Sequence, residues 1–287
     1  MKSTASFLTS LLFGLLGAVQ QLSAQTAEKS MENCNASADI LTVASFNVNY
    51  RNRDFQRIEQ AIVRSGADCV ALQETPEGLE GHLKKSLHDR YPYQVAVGRR
   101  RASRSDRLTL LSRFPFKQNE SLQSPVKWFD AQRAVVAWNR YDVQILNLHL
   151  APVHVGSHRS PGENIRAFWQ SRMVHLKEVQ VFASQLDPNL PTVICGDFNS
   201  LPTDPTIRYL LQQGFQDSFR TCFDHPEQNP TWQYQANPLA PTARIDYLLY
   251  SSSFRVSDCL IDKATGSDHF LIATTLEWAT ENATVDP

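Results

Sequence analysis

The sequence predicts an α/β domain in which two β-sheets are covered by helices. Short apolar segments rich in β-branched and aromatic residues alternate with amphipathic helical segments along the chain. The predicted strands outnumber the predicted helices, so two sheets flanked by helices fit the pattern better than one wound sheet. No repeat, low-complexity tract or linker interrupts the 287 residues, which are enough for one large domain with a full core.

The N-terminal part of the domain predicts alternating strands and helices. Residues 41–48 (LTVASFNV) predict the first strand. A helix follows, with Asp54 as its N-cap and Gly66 at its end. The continuous apolar run 68–74 (DCVALQE) predicts a strand buried on both faces, and the Thr-Pro dipeptide after it predicts the start of another helix.

The rest of the chain predicts strands on both sides of a long helix. The strands before it are YQVAVG, LTLLS, QRAVVAW and VQILNLHL. The helix runs from about Pro161 to Leu186, and one apolar stripe is expected to pack on the core: Ile165, Trp169, Met173, Leu176, Val179 and Ala183. After it come the strand TVICGDF, a helix opened by Asp204 and Pro205, and the strands ARIDYLLY, FRVSDCL and HFLIATTLEW.

The N-terminus has the layout of a secretory signal peptide over residues 1–24. A basic start is followed by an apolar run over 7–19 and a small residue at the predicted cleavage point. Residues 25–40 are then an N-terminal arm and residues 41–287 the domain. We expect a secreted or periplasmic monomer with no transmembrane span in the mature chain; a retained N-terminal anchor is the alternative.

Charge and cysteine content narrow the function classes. The formal net charge of −1 gives no global basic field that would require nucleic acid. The five cysteines form no CxxC pair of the kind that binds zinc. Cys69 and Cys195 lie within strand patterns and are expected in the core. Cys222 and Cys259 can form a disulfide bond if the protein is exported, although sequence alone does not establish the pairing.

Polar side chains stand at one end of six apolar strands. They are Asn47, Glu74, His149, Asp197 with Asn199, Asp246, and Asp268 with His269. Each has an ordinary explanation, such as an Asx turn at Asp197, a helix cap at Glu74 or a hydrogen-bonded core histidine at His149. An ionised group at the end of a buried strand is costly unless it is paired, and functional residues gather at strand ends in α/β sheets. Six such ends together therefore favour a functional site.

The chemistry of this set is narrow. Carboxylate and amide oxygens without a thiolate cluster select a hard divalent cation, Mg²⁺ first, with Mn²⁺ or Ca²⁺ as alternatives. Two histidines beside carboxylates can move protons near neutral pH. A cation, a base for water and an acid for the leaving oxygen predict phosphoester hydrolysis. The GxSxG, Walker and HExxH motifs are absent from the sequence, so other hydrolase and nucleotide-binding classes lack support.

An ordered set of short motifs resembles a known family. SFNVN, LQE, LSRFP, LHL, GDFNS, RIDYLL and SDH occur in this order between about Leu41 and Trp278. The set is similar to that of the endonuclease/exonuclease/phosphatase superfamily, which includes deoxyribonuclease I, the exonuclease III-like repair nucleases and the neutral sphingomyelinases. The resemblance implies a four-layer α/β sandwich of two packed β-sheets flanked by helices.

The resemblance also implies roles at the strand ends. Glu74 is expected to be the main metal carboxylate, with Asn47 and Asp268 close to the ion. Asp197 and Asn199 resemble the pair that positions the attacking water and the scissile phosphate.

The two histidines take different roles in this resemblance. His269, held by Asp246, resembles the histidine that activates water or stabilises the phosphorane, and His149 resembles the acid for the leaving oxygen. Repair nucleases of the family usually have tyrosine in place of His149 and aspartate in place of Asn49, so the chain is more similar to the deoxyribonuclease I and sphingomyelinase branches. Asp106 is expected to orient His149; the alternative is a loop carboxylate that offsets neighbouring arginines.

Arginines suggest how a substrate is held. Arg133 resembles the family's phosphate-binding arginine, and a solvated edge-strand charge is the alternative. Residues 98–107 (GRRRASRSDR) contain five arginines in a nearly neutral chain and predict an exposed loop. The loop is either a solubilising surface or a phosphate-binding element that uses Arg99, Arg100, Arg101 and Arg104.

Three functions remain open at this point. An exported nuclease acting on DNA or RNA is the first, a secreted sphingomyelinase-like enzyme or phosphatase is the second, and a non-catalytic binding protein is the third. A lipid enzyme needs an exposed apolar element to reach a bilayer. The aromatic candidates are KWFD (127–130) and AFW (167–169), and the second fits the buried stripe of the long helix.

Overall fold

A computed structural model describes residues 39–98, 100–101, 104–153, 160–234 and 241–279. Of residues 100–101 and 104–105, only the backbone pairing is described. The predicted signal peptide, the arm up to residue 38, Cys34 and Arg99 lie outside the described residues. The described residues from Ile40 onward form one compact unit.

The chain order of elements alternates strands with helices. The elements are β1 (Ile40–Asn47), α1 (Phe55–Arg64), β2 (Cys69–Gln73), α2 (Leu79–Ser86), β3 (Tyr93–Val97), β4 (Arg100–Arg101), β5 (Arg104–Ser105), β6 (Leu108–Ser112), β7 (Phe116–Leu122), β8 (Ala131–Trp138), β9 (Tyr141–His149), α3 (Pro161–Ala183), β10 (Thr192–Asp197), α4 (Pro205–Gln212), β11 (Gln216–Asp217), α5 (Ser218–Cys222), a 3₁₀ turn (Pro226–Gln228), β12 (Trp232–Gln233), β13 (Thr242–Ala243), β14 (Asp246–Tyr250), β15 (Phe254–Asp262) and β16 (Leu271–Trp278).

Two six-stranded sheets form the centre of the domain. The strand order is β15-β16-β1-β2-β6-β3 in the first and β11-β14-β10-β9-β8-β7 in the second. Leu41, Ala71 and Ile272 of the first sheet share one buried cluster with Ile145 and Cys195 of the second, so the sheets pack face to face.

Helices cover both outer faces. Helices α1 and α2 pack on the first sheet through a cluster that contains Phe46, Ile58 and Leu83. Helices α3 and α4 pack on the second sheet through a cluster that contains Leu148 and Phe182. The predicted four-layer α/β sandwich is therefore confirmed.

Each sheet has one central parallel pair, and these pairs position the site. Strands β1 and β2 are parallel, with Asn47 beside Gln73. Strands β9 and β10 are parallel, with His149 beside Asp197, and antiparallel β14 places Asp246 on the other side of Asp197. Because parallel strands end at the same edge of a sheet, their polar terminal residues lie together.

The long helix α3 differs from its prediction. It starts at a capping box formed by Ser160 and Glu163. Its Val179 is buried as predicted, but Ile165, Trp169 and Met173 are 60%, 58% and 60% exposed. The expectation that this stripe packs on the core was wrong for its N-terminal half and is confirmed at Val179 and Ala183. An amphipathic pattern does not reveal how far a helix extends beyond the sheet that it covers.

Among the described cysteines, the two expected in the core are buried, and the pairing that the sequence left open is formed. Cys69 and Cys195 are buried and free. Cys222, at the end of α5, is bonded to Cys259 on β15. This disulfide closes a loop of 37 residues and fits an oxidising compartment. Within the described ranges, no helix is both long enough and apolar enough to cross a bilayer.

Candidate active site

The polar residues predicted at the strand ends converge on one edge of the two sheets. The first sheet contributes the end of β1, the residue after β2 and the residues before β16. The second contributes the ends of β9 and β10 and the start of β14. The residues brought together are Asn47, Glu74, His149, Asp197, Asp246, Asp268 and His269.

Glu74 lies at the centre of this cluster. Its Oε1 accepts a hydrogen bond from Asn47 Nδ2 at 3.3 Å, and its Oε2 accepts one from the backbone N–H of Tyr50 at 3.0 Å. Burial raises the pKa of the Glu74 carboxyl, although the bond from Tyr50 opposes this shift. Glu74 has a left-handed backbone with φ of 53°, which is costly for a glutamate and is typical of functional sites.

Asn47 connects the two sheets. The same Nδ2 donates to Asp197 Oδ2 at 3.0 Å, across the sheet interface. Its Oδ1 accepts the backbone N–H of Asn49 at 3.0 Å, which fixes the orientation of the amide. The carboxylates of Glu74 and Asp197 are thereby held on either side of one amide group.

Asp268 is held at the rim of the cluster by two side chains. Asn49 Nδ2 donates to its Oδ1 at 2.8 Å, and Trp232 Nε1 donates to its Oδ2 at 3.1 Å. Burial opposes ionisation, but His269 and these two donors hold the pKa of Asp268 below its usual range. Asp268 is therefore a carboxylate at neutral pH.

His269 and Asp246 form a buried pair. His269 Nδ1 lies 3.0 Å from Asp246 Oδ2, and its Nε2 lies 3.6 Å from Asp197 Oδ2. Burial lowers the pKa of His269, but the carboxylates of Asp246 and Asp197 outweigh burial and raise it to about 10. The imidazole is thus oriented by Asp246 and presents Nε2 to the centre of the site, as predicted for an Asp-supported histidine.

His149 faces the opposite side of Asp197. Its Nε2 lies 3.6 Å from Asp197 Oδ2 and 3.7 Å from Glu74 Oε1. The ring is 4% exposed and stacks on Phe129, with centroids 4.2 Å apart and planes 15° apart. The two histidines therefore approach one carboxylate from different strands.

Asp197 and Asn199 form the predicted Asx turn and also lie at the candidate site. The backbone N–H of Asn199 donates to Asp197 Oδ1 at 2.9 Å, which is the expected Asx turn. Asp197 Oδ2 nevertheless faces the cluster, and burial raises the pKa of its carboxyl. Asn199 Nδ2 donates to Leu150 O at 3.0 Å and so connects the ends of β9 and β10. The Asx turn fixes Asp197 Oδ1 and thereby orients Oδ2 toward the cluster.

Two groups of side chains in the cluster are candidates for binding a hard divalent cation. The predicted group is Glu74 with Asn47 and Asp268. A second group, Asp197, Asp246 and His269, has ligand atoms within 4.8 Å of one another. Metal binding through the second group would compete with the bond between His269 and Asp246, whereas the Glu74 group leaves that pair intact. On the chemistry of the donors, the Glu74 group is therefore the first candidate for the cation and the second group is the alternative.

The structure does not bring Arg133 to the cluster. Its guanidinium pairs with Glu120 on the neighbouring strand β7 and donates to the carbonyl of Gln185, on the helix side of the second sheet. Adjacent residues of a strand point to opposite faces, and Gln132 is the one that points between the sheets. Arg133 therefore lies away from the predicted phosphate site. It is not the solvated edge-strand charge of the alternative either, because β8 lies between β7 and β9 and its guanidinium is paired.

The arginine-rich segment forms a β-hairpin beside Glu74. Strands β4 and β5 pair through Arg100 with Ser105 and Arg101 with Arg104. At its base, the backbone N–H of Thr75 donates to Arg107 O at 3.1 Å, one residue from Glu74. Asp106 is buried at this base. The side chains of the hairpin arginines are not among those described, and the bond predicted between Asp106 and His149 stays a prediction.

Several supporting residues were missed from the sequence. A chain of buried polar side chains lies between the sheets directly beneath the site: Ser45, Gln73, Asn147 and Gln132, joined by hydrogen bonds of 2.8–3.2 Å. In the sequence these amides appear as single polar interruptions of apolar strands. Their inward position follows from the two-residue period once a strand's inner face is known.

The aromatic segments were assigned to the wrong environments. Phe129 of KWFD is 4% exposed against His149, whereas Trp169 of AFW is 58% exposed. The available signal for Phe129 was its place just before a strand that pairs with the His149 strand.

Comparisons with known proteins agree with the fold and identify the family. The sequence model of the Endonuclease/Exonuclease/phosphatase family matches residues 44–269. A solved endonuclease/exonuclease/phosphatase from Beutenbergia cavernae DSM 12333 is similar at 18% identity and a TM-score of 0.64, over 84% of this chain and 72% of that one. A family protein from Bacteroides thetaiotaomicron is similar at 19% identity and a TM-score of 0.63, over 84% of this chain and 98% of that one. TDP2 from C. elegans is similar at 16% identity and a TM-score of 0.61, over 83% of this chain and 75% of that one. No curated protein matches the chain in sequence.

Proposed function

Since the chain belongs to the endonuclease/exonuclease/phosphatase family, we propose that it is an exported, Mg²⁺-dependent phosphodiesterase that cleaves nucleic acid. Members of this family typically hydrolyse phosphodiester bonds. The observation that carries the proposal is the convergence of two differently supported histidines on Asp197, with Glu74 beside them.

The metal would be held by Glu74, with Asn47 and Asp268 nearby. Oxygen ligands of this kind suit Mg²⁺, with Mn²⁺ or Ca²⁺ as alternatives. When bound, the ion would neutralise the negative charge of the phosphoryl oxygens. Burial raises the pKa of Glu74, which means that the carboxylate is poorly solvated in the protein and gains from a cationic partner.

The protein's own groups divide the proton transfers. Asp197 accepts from Asn47 and faces both imidazoles, so it is placed to orient the attacking water and to accept the proton that this water loses as it attacks phosphorus. His269, charged through Asp246 and Asp197, donates to the phosphoryl oxygens as negative charge develops. His149, on the other side, donates a proton to the leaving oxygen.

Nucleic acid is the preferred substrate because of the arginine hairpin. Its base is bonded to the residue after Glu74, so the hairpin starts at the rim of the cluster. Guanidinium groups suit successive phosphates because their planar fork can meet two oxygens at once. Export is supported by the signal-like N-terminus and by the disulfide between Cys222 and Cys259.

One observation favours a second candidate, a lipid phosphodiesterase. Ile165, Trp169 and Met173 lie on one exposed stripe of α3, in the half of the helix nearer the site. An exposed apolar stripe with tryptophan is typical of helices that lie in a membrane interface. Changing Trp169 to glutamine should reduce sphingomyelin-vesicle hydrolysis but leave turnover of a soluble phosphodiester unchanged if this candidate is correct.

The proposal is tested by parallel assays of the purified mature chain. DNA, RNA, sphingomyelin vesicles and a nitrophenyl phosphodiester are each incubated with Mg²⁺ and with EDTA. We expect cleavage of DNA or RNA that EDTA abolishes. Vesicle hydrolysis without nucleic-acid cleavage would favour the second candidate, and full activity in EDTA would contradict the metal mechanism in both.

A further inference from the structure

Helix α3 carries a buried glutamate that the proposed chemistry does not use. Glu178 is 0% exposed and lies in the last two turns of the helix. Its hydrogen-bond partners in the described part of the chain are a hydroxyl and a backbone N–H, neither of which is charged. A buried carboxylate without a cationic partner is costly, so its retention calls for a structural reason.

The two oxygens of Glu178 bind two segments that both contact His149. Oε2 accepts the backbone N–H of Ala151 at 3.2 Å, two residues after His149. Oε1 accepts the hydroxyl of Ser124 at 3.1 Å. One carboxyl group thus joins the end of β9 to the turn between β7 and β8.

Ser124 organises the turn that carries Phe129. Its backbone N–H donates to Asp130 at 3.0 Å, and its Oγ accepts the N–H of Trp128 at 3.4 Å. The turn is closed at Lys127, whose backbone N–H donates to Ser124 O at 3.1 Å and whose φ is 58°. Phe129, at the end of the turn, is the ring that stacks on His149.

A neighbouring histidine on α3 completes the attachment. His175 Nε2 bonds to the carbonyl of Ala151 at 2.6 Å, and its Nδ1 bonds to Ser200 Oγ at 3.0 Å. Both backbone polar groups of Ala151 are therefore fixed by side chains of α3. Ser200 directly follows Asn199, so the same helix face also contacts the end of β10.

We propose that Glu178 is a positioning residue for His149, holding the imidazole through the Ala151 backbone on one side and the Ser124–Phe129 turn on the other. The inference rests on the proposed role of His149 as the acid for the leaving oxygen. Glu178 does not touch the reacting atoms. It fixes the position and the ring plane of the His149 imidazole, and His175 supports the same end of β9.

The test compares two changes at Glu178. Glu178→Gln keeps an acceptor for Ala151 N–H and a polar group for Ser124, whereas Glu178→Leu keeps only the volume. For a dinucleotide, whose leaving oxygen needs a proton, we expect Glu178→Leu to lower kcat about 10- to 100-fold with little change in KM, because small misplacements of a catalytic group have effects of this size. Glu178→Gln should restore most of this loss.

The leaving group separates positioning from general damage. With a nitrophenyl phosphodiester, which needs no proton from His149, Glu178→Leu should stay within about 3-fold of the parent. Lys177→Gln, an exposed change one residue away on the same helix, is the matched control and should behave as the parent. Equal losses of Glu178→Leu on both substrates would overturn the positioning role.

Two further measurements keep the inference testable if Glu178→Leu does not fold. Ser124→Ala removes one of the two attachments and should show the same leaving-group dependence at smaller size. The imidazole NMR signals of His149 in the metal-free protein should shift in Ser124→Ala and not in Lys177→Gln; unchanged signals would contradict the inference. If His149→Ala itself shows no leaving-group dependence, the proposed role of His149 fails instead.

Discussion

The floor of the site and its rim are built in different ways. The floor consists of strand ends from both sheets, and its side chains are buried and hydrogen-bonded to one another. The rim is formed by additions to the sheets, namely the β4–β5 hairpin beside Glu74 and the half of α3 that precedes His175. The difference suggests that the fold determines the chemistry, while the attached elements determine which phosphodiester reaches it.

The exposed half of α3 follows from where the helix is attached. His175 and Glu178 contact Ala151, just past the end of β9. Arg133, which pairs with Leu146 inside β9, bonds to Gln185 beyond the other end of the helix. The helix therefore runs antiparallel to β9, and its first turns extend past the edge of the sheet. Side chains there have no strand beneath them.

The largest effect should come from the floor. Glu74→Gln removes the charge that a dication needs, so turnover should fall by more than the ~10²–10³-fold that loss of one stabilising donor costs. The change should leave the fold intact, as checked by circular dichroism. Glu120→Gln, on the outer strand β7, is the matched control and should retain activity. Near-parental turnover of Glu74→Gln would remove Glu74 from the metal site.

The next effect separates the two histidines. His149→Ala should lose about 10²-fold or more on a dinucleotide, because a proton donor is lost, and much less on a nitrophenyl phosphodiester. His269→Ala should lose activity on both substrates, since its role is to stabilise the negative charge that develops on the phosphoryl oxygens. Steady-state kinetics with the two substrates measure the difference. Equal recovery of both variants on the activated substrate would contradict the division of roles.

A change in the rim should alter binding and spare turnover. Replacing Arg99, Arg100, Arg101 and Arg104 with alanine should weaken affinity for long DNA. It should also flatten the log–log salt dependence by a few units, at about 0.9 per lost phosphate contact. Hydrolysis of a small phosphodiester should not change. Arg133→Ala is the matched control, because its guanidinium is bonded to Glu120 and Gln185. If salt dependence persists in the hairpin variant, the hairpin is solvated surface and the lipid candidate gains.

The smallest effect concerns stability, and pH has opposite consequences for Glu178 and His175. Burial raises the pKa of Glu178 to about 7 and lowers that of His175 to about 4. The stability that protonated Glu178 contributes is full below pH 4.5 and is lost as the pH rises through about 7. The stability that neutral His175 contributes is present above pH 6.5 and is lost as the pH falls through about 4.

Denaturant unfolding at several pH values measures these contributions. From pH 5 to pH 8, the free energy of unfolding of the parent should fall by an amount of the order of 1–3 kcal/mol that Glu178→Gln does not show. From pH 6.5 to pH 4, His175→Gln should lose less stability than the parent. A parental pH profile in both variants would show that these groups are not held neutral in the folded protein.

Much of the floor could be predicted because each residue in it stands at or next to the end of an apolar strand. Polar residues at strand ends are visible in one sequence, and the parallel pairing that brings them together follows from the alternation of strands and helices. The order of short motifs from SFNVN to SDH further predicted the four-layer sandwich and the different roles of the two histidines. The fold and the family are confirmed.

The remaining features depend on facts that a pattern does not contain. Gln132 points between the sheets and Arg133 points to the helix side because of which face of β8 is turned inward. Since β8 is apolar on both faces, its sequence pattern does not show which face this is. His175 and Glu178 look like ordinary polar positions of a helix until the end of β9 is placed beneath them. The hydrophobic stripe of α3 was correctly periodic, but its exposure depends on the length of the sheet.

The polar chain between the sheets has a consequence for folding. Glu74 and His269 come from the first sheet, His149 and Asp197 from the second, and Gln73 bonds to Asn147 across the interface at 2.8 Å. Each sheet with its helices can gain secondary structure by itself, but no half contains a complete site. During refolding, catalytic activity should therefore return only when the two sheets have docked and expelled water from these amides. Recovery of activity should therefore report the last step of folding and should be slower than recovery of the circular dichroism signal.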